Sequence, residues 1–399
     1  MMLQSKNLTR GEVIPRHFKP KLMKKILFVW TAIVISGLIS SCQNSRNYVN
    51  IDINGLNEEE LLNNSDGILK IERVIPLKFG NDVHIGIIDK VSLIDTFIIV
   101  KDQYGIYEFN INGEYKRRIS QKGLANNEYI SLRTYYIDKK KNINIVDAGT
   151  NRILKYRFDG NFLSSQNIKF DKEYIITLED IEEISEDKLF IYSDIFNDFQ
   201  DSYNIISSSF DKIEPIDMIN IKSKGKAYAF SSHPISTYNN IIRYVKPFDN
   251  RIFMLNSDTV LNLVTSEKVL IDNDLDKISP LTSNKLARYI SNNEFFIGFS
   301  DIFETEKYIF LNFHDFYYII LDKQNRKCKK YSYKYSKNSD FSPIVHIVGQ
   351  NNNNFLGVLG TRVSIDLKNN EKNESLYNVL GDKKYSERPV IIEYSFRDN

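Results

Sequence analysis

Short stretches in which apolar and polar residues alternate recur along the chain from residue 68 onward. A period of two is typical of a β-strand, because successive side chains of a strand point to opposite faces. In the clearest stretch, Tyr107, Phe109 and Ile111 share one face, and Asn112-Gly113 follows them. Asn-Gly accepts the positive φ angles of a tight turn. The pattern therefore predicts β-hairpins and not helices.

This hairpin pattern repeats along the chain. The stretch 145–158 copies the order seen at 99–111, and Asp159-Gly160 stands at its turn. Weaker copies are pairs of apolar stretches, at 189–192 with 203–206, 251–255 with 258–260, 307–311 with 317–322, and 355–359 with 363–367. A repeat of about 45 residues matches one blade of a β-propeller. Six such units predict an all-β fold, a six-bladed β-propeller over residues 68–399.

A ring of blades closes when strands from the two ends of the chain pair in one sheet. The candidates are the apolar stretches 68–77 and 389–396. Pro389 stands at the start of the second stretch, a position where a strand tolerates proline. Closure would also remove exposed sheet edges. We therefore expect these two stretches to be neighbours in the last blade.

The first 42 residues have the pattern of an export signal. Met23 and Lys24-Lys25 precede the apolar stretch 26–35, which is too short for a comfortable transmembrane helix. Ile39-Ser40-Ser41-Cys42 resembles a bacterial lipobox, whose cysteine receives a diacylglycerol and becomes the new N-terminus. Residues 1–41 are therefore interpreted as an upstream extension and a lipoprotein signal peptide that starts at Met23, with lipidation at Cys42. The alternative is a retained signal anchor in which Cys42 is incidental.

The segment 42–67 is polar and rich in Asn, so we expect a lipidated tether, with a helical turn at 58–62. Durable attachment to a membrane needs more than one acyl chain, and bacterial lipoproteins carry three, such as palmitate. Gln43 stands where an Asp marks retention in the inner membrane of many Gram-negative bacteria. The expected location is therefore the cell envelope, at the outer membrane of a Gram-negative bacterium.

Composition agrees with a β protein that does not bind nucleic acid. The 24 Tyr and 25 Phe favour strands, and a net charge of +2 gives no general attraction to nucleic acid. The only cysteines are Cys42 and Cys328. If Cys42 is acylated, no intramolecular disulfide can form. Cationic neighbours could activate the Cys328 thiol, but a plain strand residue is the expected role.

Several short motifs together resemble one family. They are Ile75-Pro76-Leu77, residues 87–90, the loop 123–129, the repeat 145–154, Arg251-Ile252-Phe253 and Pro389-Val390-Ile391. Over residues 65–397 the chain resembles the bacterial six-bladed β-propeller lipoproteins, which have NHL-like repeats and no generally assigned activity. One departure is Leu124-Ala125-Asn126-Asn127, where the family loop is richer in Gly and Pro. The resemblance implies a propeller fold without implying a reaction.

No pattern of catalytic or metal-binding residues stands out. The histidines His84, His233, His314 and His346 lack the paired spacing of a zinc site. Acidic residues near blade turns are expected to cap those turns, although a propeller channel could gather them around a cation: Asp147, Asp201, Asp258, Asp301 and Asp315. Adjacent carboxylates such as Glu182-Glu183 and Glu179-Asp180 face opposite sides of a strand. We predict no catalytic residue, no metal site and no cofactor.

Aromatic pairs are the remaining candidates for a binding surface. We expect them to fill the core, with exposed rings for sugars or peptides as the alternative: Tyr135-Tyr136, Phe199, Phe295-Phe296 and Phe316-Tyr317-Tyr318. The leading hypothesis is a non-catalytic binding or scaffold module that holds a peptide, protein or glycan on one propeller face. An extracytoplasmic hydrolase or lactonase-like enzyme with a divalent cation in the channel is the alternative. A structural partner of a larger outer-membrane complex is the third.

Overall fold

The computed structural model describes residues 46–60, 68–169, 176–195, 202–218, 233–246, 248–269, 292, 295–296, 298–313, 317–332, 346–359 and 388–396. The chain divides into two compact units, Met1–Asn47 and Tyr48–Asn399, and the fold below is that of the second. The predicted signal peptide and Cys42 lie outside the described residues, and so do His314, Phe199 and Phe316.

The described residues form β-strands throughout. The first strands are β1 (Asn47–Asp52), β2 (Glu58–Glu60), β3 (Leu69–Pro76), β4 (Ile88–Ile94), β5 (Phe97–Asp102), β6 (Ile106–Asn110), β7 (Tyr115–Ser120), β8 (Leu132–Ile137), β9 (Ile143–Asp147), β10 (Arg152–Tyr156) and β11 (Phe162–Asn167). There follow β12 (Ile176–Ser185), β13 (Lys188–Ile195), β14 (Ser202–Ser207), β15 (Ile213–Met218), β16 (Ile235–Tyr238), β17 (Ile241–Val245), β18 (Arg251–Met254) and β19 (Thr259–Val264). The last are β20 (Lys268–Val269), β21 (Phe295–Phe296), β22 (Asp301–Glu304), β23 (Tyr308–Phe313), β24 (Tyr317–Asp322), β25 (Cys328–Ser332), β26 (His346–Asn351), β27 (Asn354–Leu359) and β28 (Val390–Phe396).

These strands build six antiparallel blades. Blades 1 to 3 are β4 to β7, β8 to β11 and β12 to β15, and blades 4 and 5 are β16 to β19 and β22 to β25. Blade 6 has the order β26, β27, β28, β3, and β20 pairs with β21 in a small parallel sheet. The first strands of blades 2 to 6 contact one another in chain order, and β26 of blade 6 contacts β4 of blade 1. The predicted all-β, six-bladed propeller is confirmed.

The two ends of the propeller meet in blade 6, as the apolar stretches predicted. Strand β28 pairs with β3 in antiparallel register, with Ile391 opposite Ile75 and Ser395 opposite Lys70. Ile75 and Ile391 are both buried in the same hydrophobic cluster. An N-terminal strand therefore completes the C-terminal blade and leaves the ring without a gap.

The predicted hairpins are confirmed in blades 1 to 5 and wrong in blade 6. In blade 1, Gly113 adopts φ +77° and donates its N–H to the carbonyl of Asn110 at 2.9 Å. In blade 6, β27 does not pair with 363–367, because its two edges are occupied by β26 and β28. Residues 363–367 lie outside the described residues. The alternating pattern of 363–367 suits a strand, but the chain end at β28 takes the place beside β27.

The segment expected to be a tether contains two propeller strands. Strand β1 joins the outer edge of blade 4 beside β19, and β2 pairs in parallel with β25 at the outer edge of blade 5. The predicted helical turn is therefore wrong at Glu58–Glu60, and Leu61 and Leu62 lie outside the described residues. The outer strand of a blade leaves backbone N–H and C=O groups unpaired, and these added strands satisfy them.

Aromatic side chains fill the space between blades. Tyr135, Phe296 and Tyr318 are fully buried, so the expected core role is confirmed for them. Between blades 3 and 4, the rings of Tyr203 and Tyr244 lie 4.5 Å apart. Such ring contacts add to the gain from burial.

Cys328 is a buried strand residue, as expected, and burial raises the pKa of its thiol to about 12. The thiol is therefore protonated at neutral pH and a poor nucleophile. Within the ranges given above, no helix is long and apolar enough to cross a membrane.

Candidate functional site

The loops between blades 1 and 2 enclose a cleft of about 690 Å³. Its walls come from the connections β3–β4, β5–β6 and β7–β8 and from residues at the start of β8. We call it the tyrosine cleft and define it by six lining side chains: Tyr104, Tyr107, Tyr115, Arg118, Lys122 and Tyr129. Its volume falls in the range of small-ligand and side-chain pockets.

A buried aspartate fixes the first wall of the cleft. Asp102 ends β5, and its Oδ1 accepts hydrogen bonds from the backbone N–H groups of Tyr104 and Gly105, both at 2.7 Å. Its Oδ2 accepts from the N–H of Gly86 in the preceding loop at 2.5 Å. A Cβ added at Gly86 would stand 2.9 Å from Cε2 of Tyr104. Glycine at this position therefore lets the Tyr104 ring lie against the β3–β4 loop.

A second buried aspartate holds the opposite wall in the same way. Asp147 ends β9, and its Oδ1 accepts from the backbone N–H groups of Ile130 at 3.1 Å, Ser131 at 2.9 Å and Gly149 at 3.1 Å. The predicted turn-capping role of Asp147 is confirmed. Because both walls are fixed by fully buried carboxylates, the cleft is formed before any ligand arrives.

The hydroxyls of Tyr107 and Tyr129 at the cleft bond to the protein. Tyr107 donates its O–H to the carbonyl of His84 at 2.9 Å, and Tyr129 donates to the carbonyl of Tyr104 at 2.7 Å. Burial raises the pKa of Tyr107 to about 12 and also raises the pKa of Tyr129, so both remain neutral donors. The Tyr104 side chain is 50% exposed. Tyr107 and Tyr129 are buried, so the aromatic surface open to a ligand comes from Tyr104 and, in part, from Tyr115.

The cationic side of the cleft is Arg118 and Lys122, both exposed. Arg118 Nη2 donates to the Tyr129 hydroxyl at 2.8 Å and to the Tyr104 carbonyl, and the guanidinium lies 5.7 Å from the Tyr107 ring centre. In the described part of the chain, neither cation forms an ion pair, and Asp82 is the one carboxylate that lines the cleft. The lining side chains Arg118, Lys122 and Asp82 therefore sum to one net positive charge, with the buried Asp102 carboxylate behind the wall.

Exposed apolar side chains surround the cleft. Among the described residues eight large hydrophobic side chains are exposed, and four of them lie in the loops that form the cleft. Leu124 is 87% exposed, Ile87 is 80% exposed, and Tyr104 and Ile130 complete the group. Tyr104 and Ile130 line the cleft itself, and Ile87 and Leu124 lie in the same loops outside its lining. Exposed apolar side chains concentrated in one region are typical of interaction sites.

The central channel contains a separate set of charged groups around a cavity of about 110 Å³. Lys90 Nζ of blade 1 lies 3.1 Å from Asp180 Oδ1 of blade 3. Glu182, two residues further along β12, lines the same cavity. Burial, and then the negative charge of Asp180, raise the pKa of Glu182 to about 7, against the opposing effects of Lys90 and Thr237.

Further bonds across the channel join blades 4, 5 and 6. Gln350 Oε1 accepts from Ser236 Oγ at 3.1 Å and from the Glu304 N–H at 2.9 Å, and Gln350 Nε2 donates to the Thr237 carbonyl at 2.9 Å. Arg243 and Lys323 both form ion pairs with the buried Glu304 carboxylate. These bonds hold the inner strands together.

Of the histidines and aspartates weighed as metal ligands, His314, Asp201 and Asp315 lie outside the described residues, and His84 and His233 lie at different places in the propeller. His84 is exposed at the tyrosine cleft, and His233 is buried at the channel, where its Nδ1 lies 3.0 Å from Asp301 Oδ1. Asp301 also accepts from Ser300 Oγ and Asn312 Nδ2, both at 2.8 Å. Among the residues whose positions are described, no group of three His, Cys, Asp or Glu side chains could hold a metal ion.

Comparison with known proteins places the chain in a family. The model of a domain of unknown function, DUF4934, matches residues 48–395. The chain belongs to the DUF4934 family. The expected resemblance to a six-bladed propeller family without an assigned activity is thereby confirmed. No curated protein sequence matches the chain.

Two solved structures support the fold of this DUF4934 chain. A predicted exported protein of Bacteroides fragilis is 17% identical, with a TM-score of 0.69, over 88% of this chain and 100% of that one. A DUF4221 protein of Bacteroides vulgatus is 11% identical, with a TM-score of 0.52, over 83% of this chain and 98% of that one. At these identities the likeness shows the shared fold.

Sequence reasoning missed both sites of this DUF4934 propeller. In the channel, Asp180 and Glu182 are two residues apart, and a strand places side chains at that spacing on the same face. Looking only at adjacent carboxylates does not pair them. Tyr104 lies in a turn between two strands, outside the alternating pattern that marked the core aromatics. An aromatic residue in a turn beside glycine was the signal available for the cleft.

Proposed function

We propose that this protein is a cell-envelope lipoprotein, anchored through Cys42, that acts as a non-catalytic binding or scaffold module. Its ligand, a peptide, a protein or a glycan, binds in the tyrosine cleft. The observation that carries the proposal is the rigid, aromatic and cationic cleft with its exposed apolar surround. Preformed concave sites with a few convergent polar groups are where proteins bind ligands.

The N-terminal sequence supports the anchor. A basic segment, an apolar stretch and Ser40-Ser41-Cys42 follow the order of a lipoprotein signal. Four residues, 43–46, separate Cys42 from β1 at the edge of blade 4. The similarity to a predicted exported protein agrees with an extracytoplasmic location, and Gln43 favours the outer membrane.

The channel supports binding rather than catalysis. Asp180 is paired with Lys90, and Glu304 is paired with Arg243 and Lys323. Of these carboxylates Asp180 lines the channel cavity, and the Lys90 ammonium already stands beside it. The cavity of about 110 Å³ has room for a few water molecules only.

Site-specific photo-crosslinking tests the binding site. A photoreactive amino acid replaces Leu124 beside the cleft, and the matched control replaces Leu163, which is 48% exposed on β11. After illumination of intact envelopes, the protein labelled at position 124 should give a discrete adduct that the protein labelled at position 163 does not give. Equal labelling at both positions, or no adduct at either, would contradict the proposed site.

A further inference from the structure

We propose that the ligand of the tyrosine cleft is a polypeptide that inserts an acidic side chain, flanked by aliphatic residues, between Arg118 and Lys122. This inference rests on the proposed function and names the ligand class of the same site. Three features of the cleft carry it: its charge, its aliphatic surround and its lack of a free backbone edge.

The charge of the cleft selects an anion. Arg118 and Lys122 line it without an ion-pair partner among the described residues, and Asp82 is the one carboxylate in the lining, so the cations outnumber it. Arg118 is fixed by its bonds to Tyr129 and Tyr104, so little side-chain entropy is lost when it binds. A carboxylate accepts charge-assisted hydrogen bonds from such groups, and these are stronger than neutral ones.

The aliphatic surround selects a polypeptide. Leu124 and Ile87 are more than three-quarters exposed, and Ile130 is exposed at the cleft itself. Covering these side chains is favourable when the partner is also apolar. Leu, Ile and Val side chains supply that surface, whereas a glycan is covered with hydroxyl groups. Tyr and Arg, which line the cleft, are also the residue types enriched at the energetic centres of protein interfaces.

The backbone at the cleft excludes binding by strand addition at this point. The Gly123 N–H donates to the Tyr129 carbonyl at 3.0 Å, and the Tyr129 N–H donates to the Gln121 carbonyl at 3.1 Å. The segment that continues β7 is therefore already paired with its own loop. A partner must recognise the cleft through side chains and not through a backbone ladder.

Selection from a phage-displayed library of random heptapeptides tests this inference. The full chain is the bait, and the variants are Lys122→Glu at the cleft and Lys116→Glu, an exposed control on β7 outside the cleft lining. We expect enriched peptides with Asp or Glu between aliphatic residues. Their affinity should fall about tenfold in Lys122→Glu and stay within about twofold in Lys116→Glu. Leu124→Ser should lower the affinity for the same peptides without changing the dependence of that affinity on salt.

Several results would overturn the inference. One is enrichment of basic or charge-free peptides. Another is an equal loss of peptide affinity in Lys122→Glu and Lys116→Glu. The third is that the parent protein enriches no more peptide than the Lys122→Glu protein does. The crosslink at position 124 separates this failure from failure of the proposed function. A position-specific adduct that resists protease and is destroyed by periodate would be a glycan. That result would support the binding site and contradict the polypeptide ligand. Absence of any position-specific adduct would instead remove the proposed function.

Discussion

The Lys90 ammonium lies 3.1 Å from Asp180 Oδ1, and this ion pair joins blade 1 to blade 3 across the channel. The Asp180 side chain is almost fully buried, and Lys90 is largely buried. Blade 2 lies between these blades in sequence, so the pair connects first strands that are not neighbours along the chain. The pair therefore contributes to the cohesion of the ring.

Replacing Lys90 with Met leaves the Asp180 carboxylate buried without its cation. Loss of one partner of a buried ion pair is strongly destabilising, so the free energy of unfolding should fall by about 3 kcal/mol at pH 7. Urea denaturation followed by tyrosine fluorescence measures it. The control is Lys140→Met, whose ion pair with Glu186 is exposed, and its effect should stay within about 0.5 kcal/mol. Equal effects of the two substitutions would contradict the role given to Lys90.

The raised pKa of Glu182 predicts that the free energy of unfolding falls as the pH rises. The pKa of Glu182 is about 7 in the folded protein and near 4.5 when unfolded, so the folded state binds more protons between these values. Stability from this group is therefore lost as the pH rises from about 4.5 to 7. Glu182→Gln should be more stable than the parent by about 2 kcal/mol at pH 8, and the difference should vanish near pH 4.5.

Denaturant midpoints of Glu182→Gln and the parent, measured from pH 4.5 to 8, check this prediction. The exposed Glu186→Gln is the control for loss of a carboxylate outside the channel, and at pH 8 Glu182→Gln should be the more stable of the two variants. A constant difference for Glu182→Gln would show that the carboxyl is ionised throughout.

Local pattern was sufficient to predict the blades. Asn112-Gly113 fixes a hairpin within a few residues, and the alternation of Tyr107 and Phe109 predicts the burial of these two rings, although Glu108 on the opposite face is buried as well. The pairing of 68–77 with 389–396 was also predictable, because a closed ring requires its ends to meet. These features depend on short-range geometry or on one global constraint.

The sites could not be predicted in the same way because they depend on contacts between blades. Lys90 and Asp180 are 90 residues apart, and no local pattern pairs them. The tyrosine cleft depends on Asp102 and Asp147, which draw separate loops together. The strand at Glu58–Glu60 forms because an edge of blade 5 is available, and its own acidic sequence carries no strand pattern.

Closure of the ring can be tested with an engineered disulfide. Lys70 and Ser395 are opposite one another in the β3–β28 register, so Lys70→Cys with Ser395→Cys should form a disulfide on mild oxidation. The crosslink should stabilise the protein by about 3 kcal/mol. Mass spectrometry and thermal unfolding check both points. Lys78→Cys with Ser395→Cys, at opposite ends of the strand pair, should remain reduced.

Removal of the lipidated cysteine tests the anchor. Cys42→Ser should move the protein from the membrane fraction to the aqueous fraction and leave its thermal midpoint unchanged, because Cys42 precedes the propeller strands. Fractionation with immunoblotting measures the distribution. Cys328→Ser is the control and should stay with the membrane. Retention of the Cys42→Ser protein in the membrane fraction would contradict anchoring through Cys42.

Hydroxyl-radical footprinting tests the central claim, that the tyrosine cleft is occupied by a ligand in the envelope. Tyr104 at the cleft is 50% exposed and Tyr48 on β1 is 51% exposed, so the two side chains should oxidise to similar extents in the purified full chain. In intact envelopes, Tyr104 oxidation should fall relative to Tyr48 oxidation. An unchanged ratio between the two tyrosines would contradict the account.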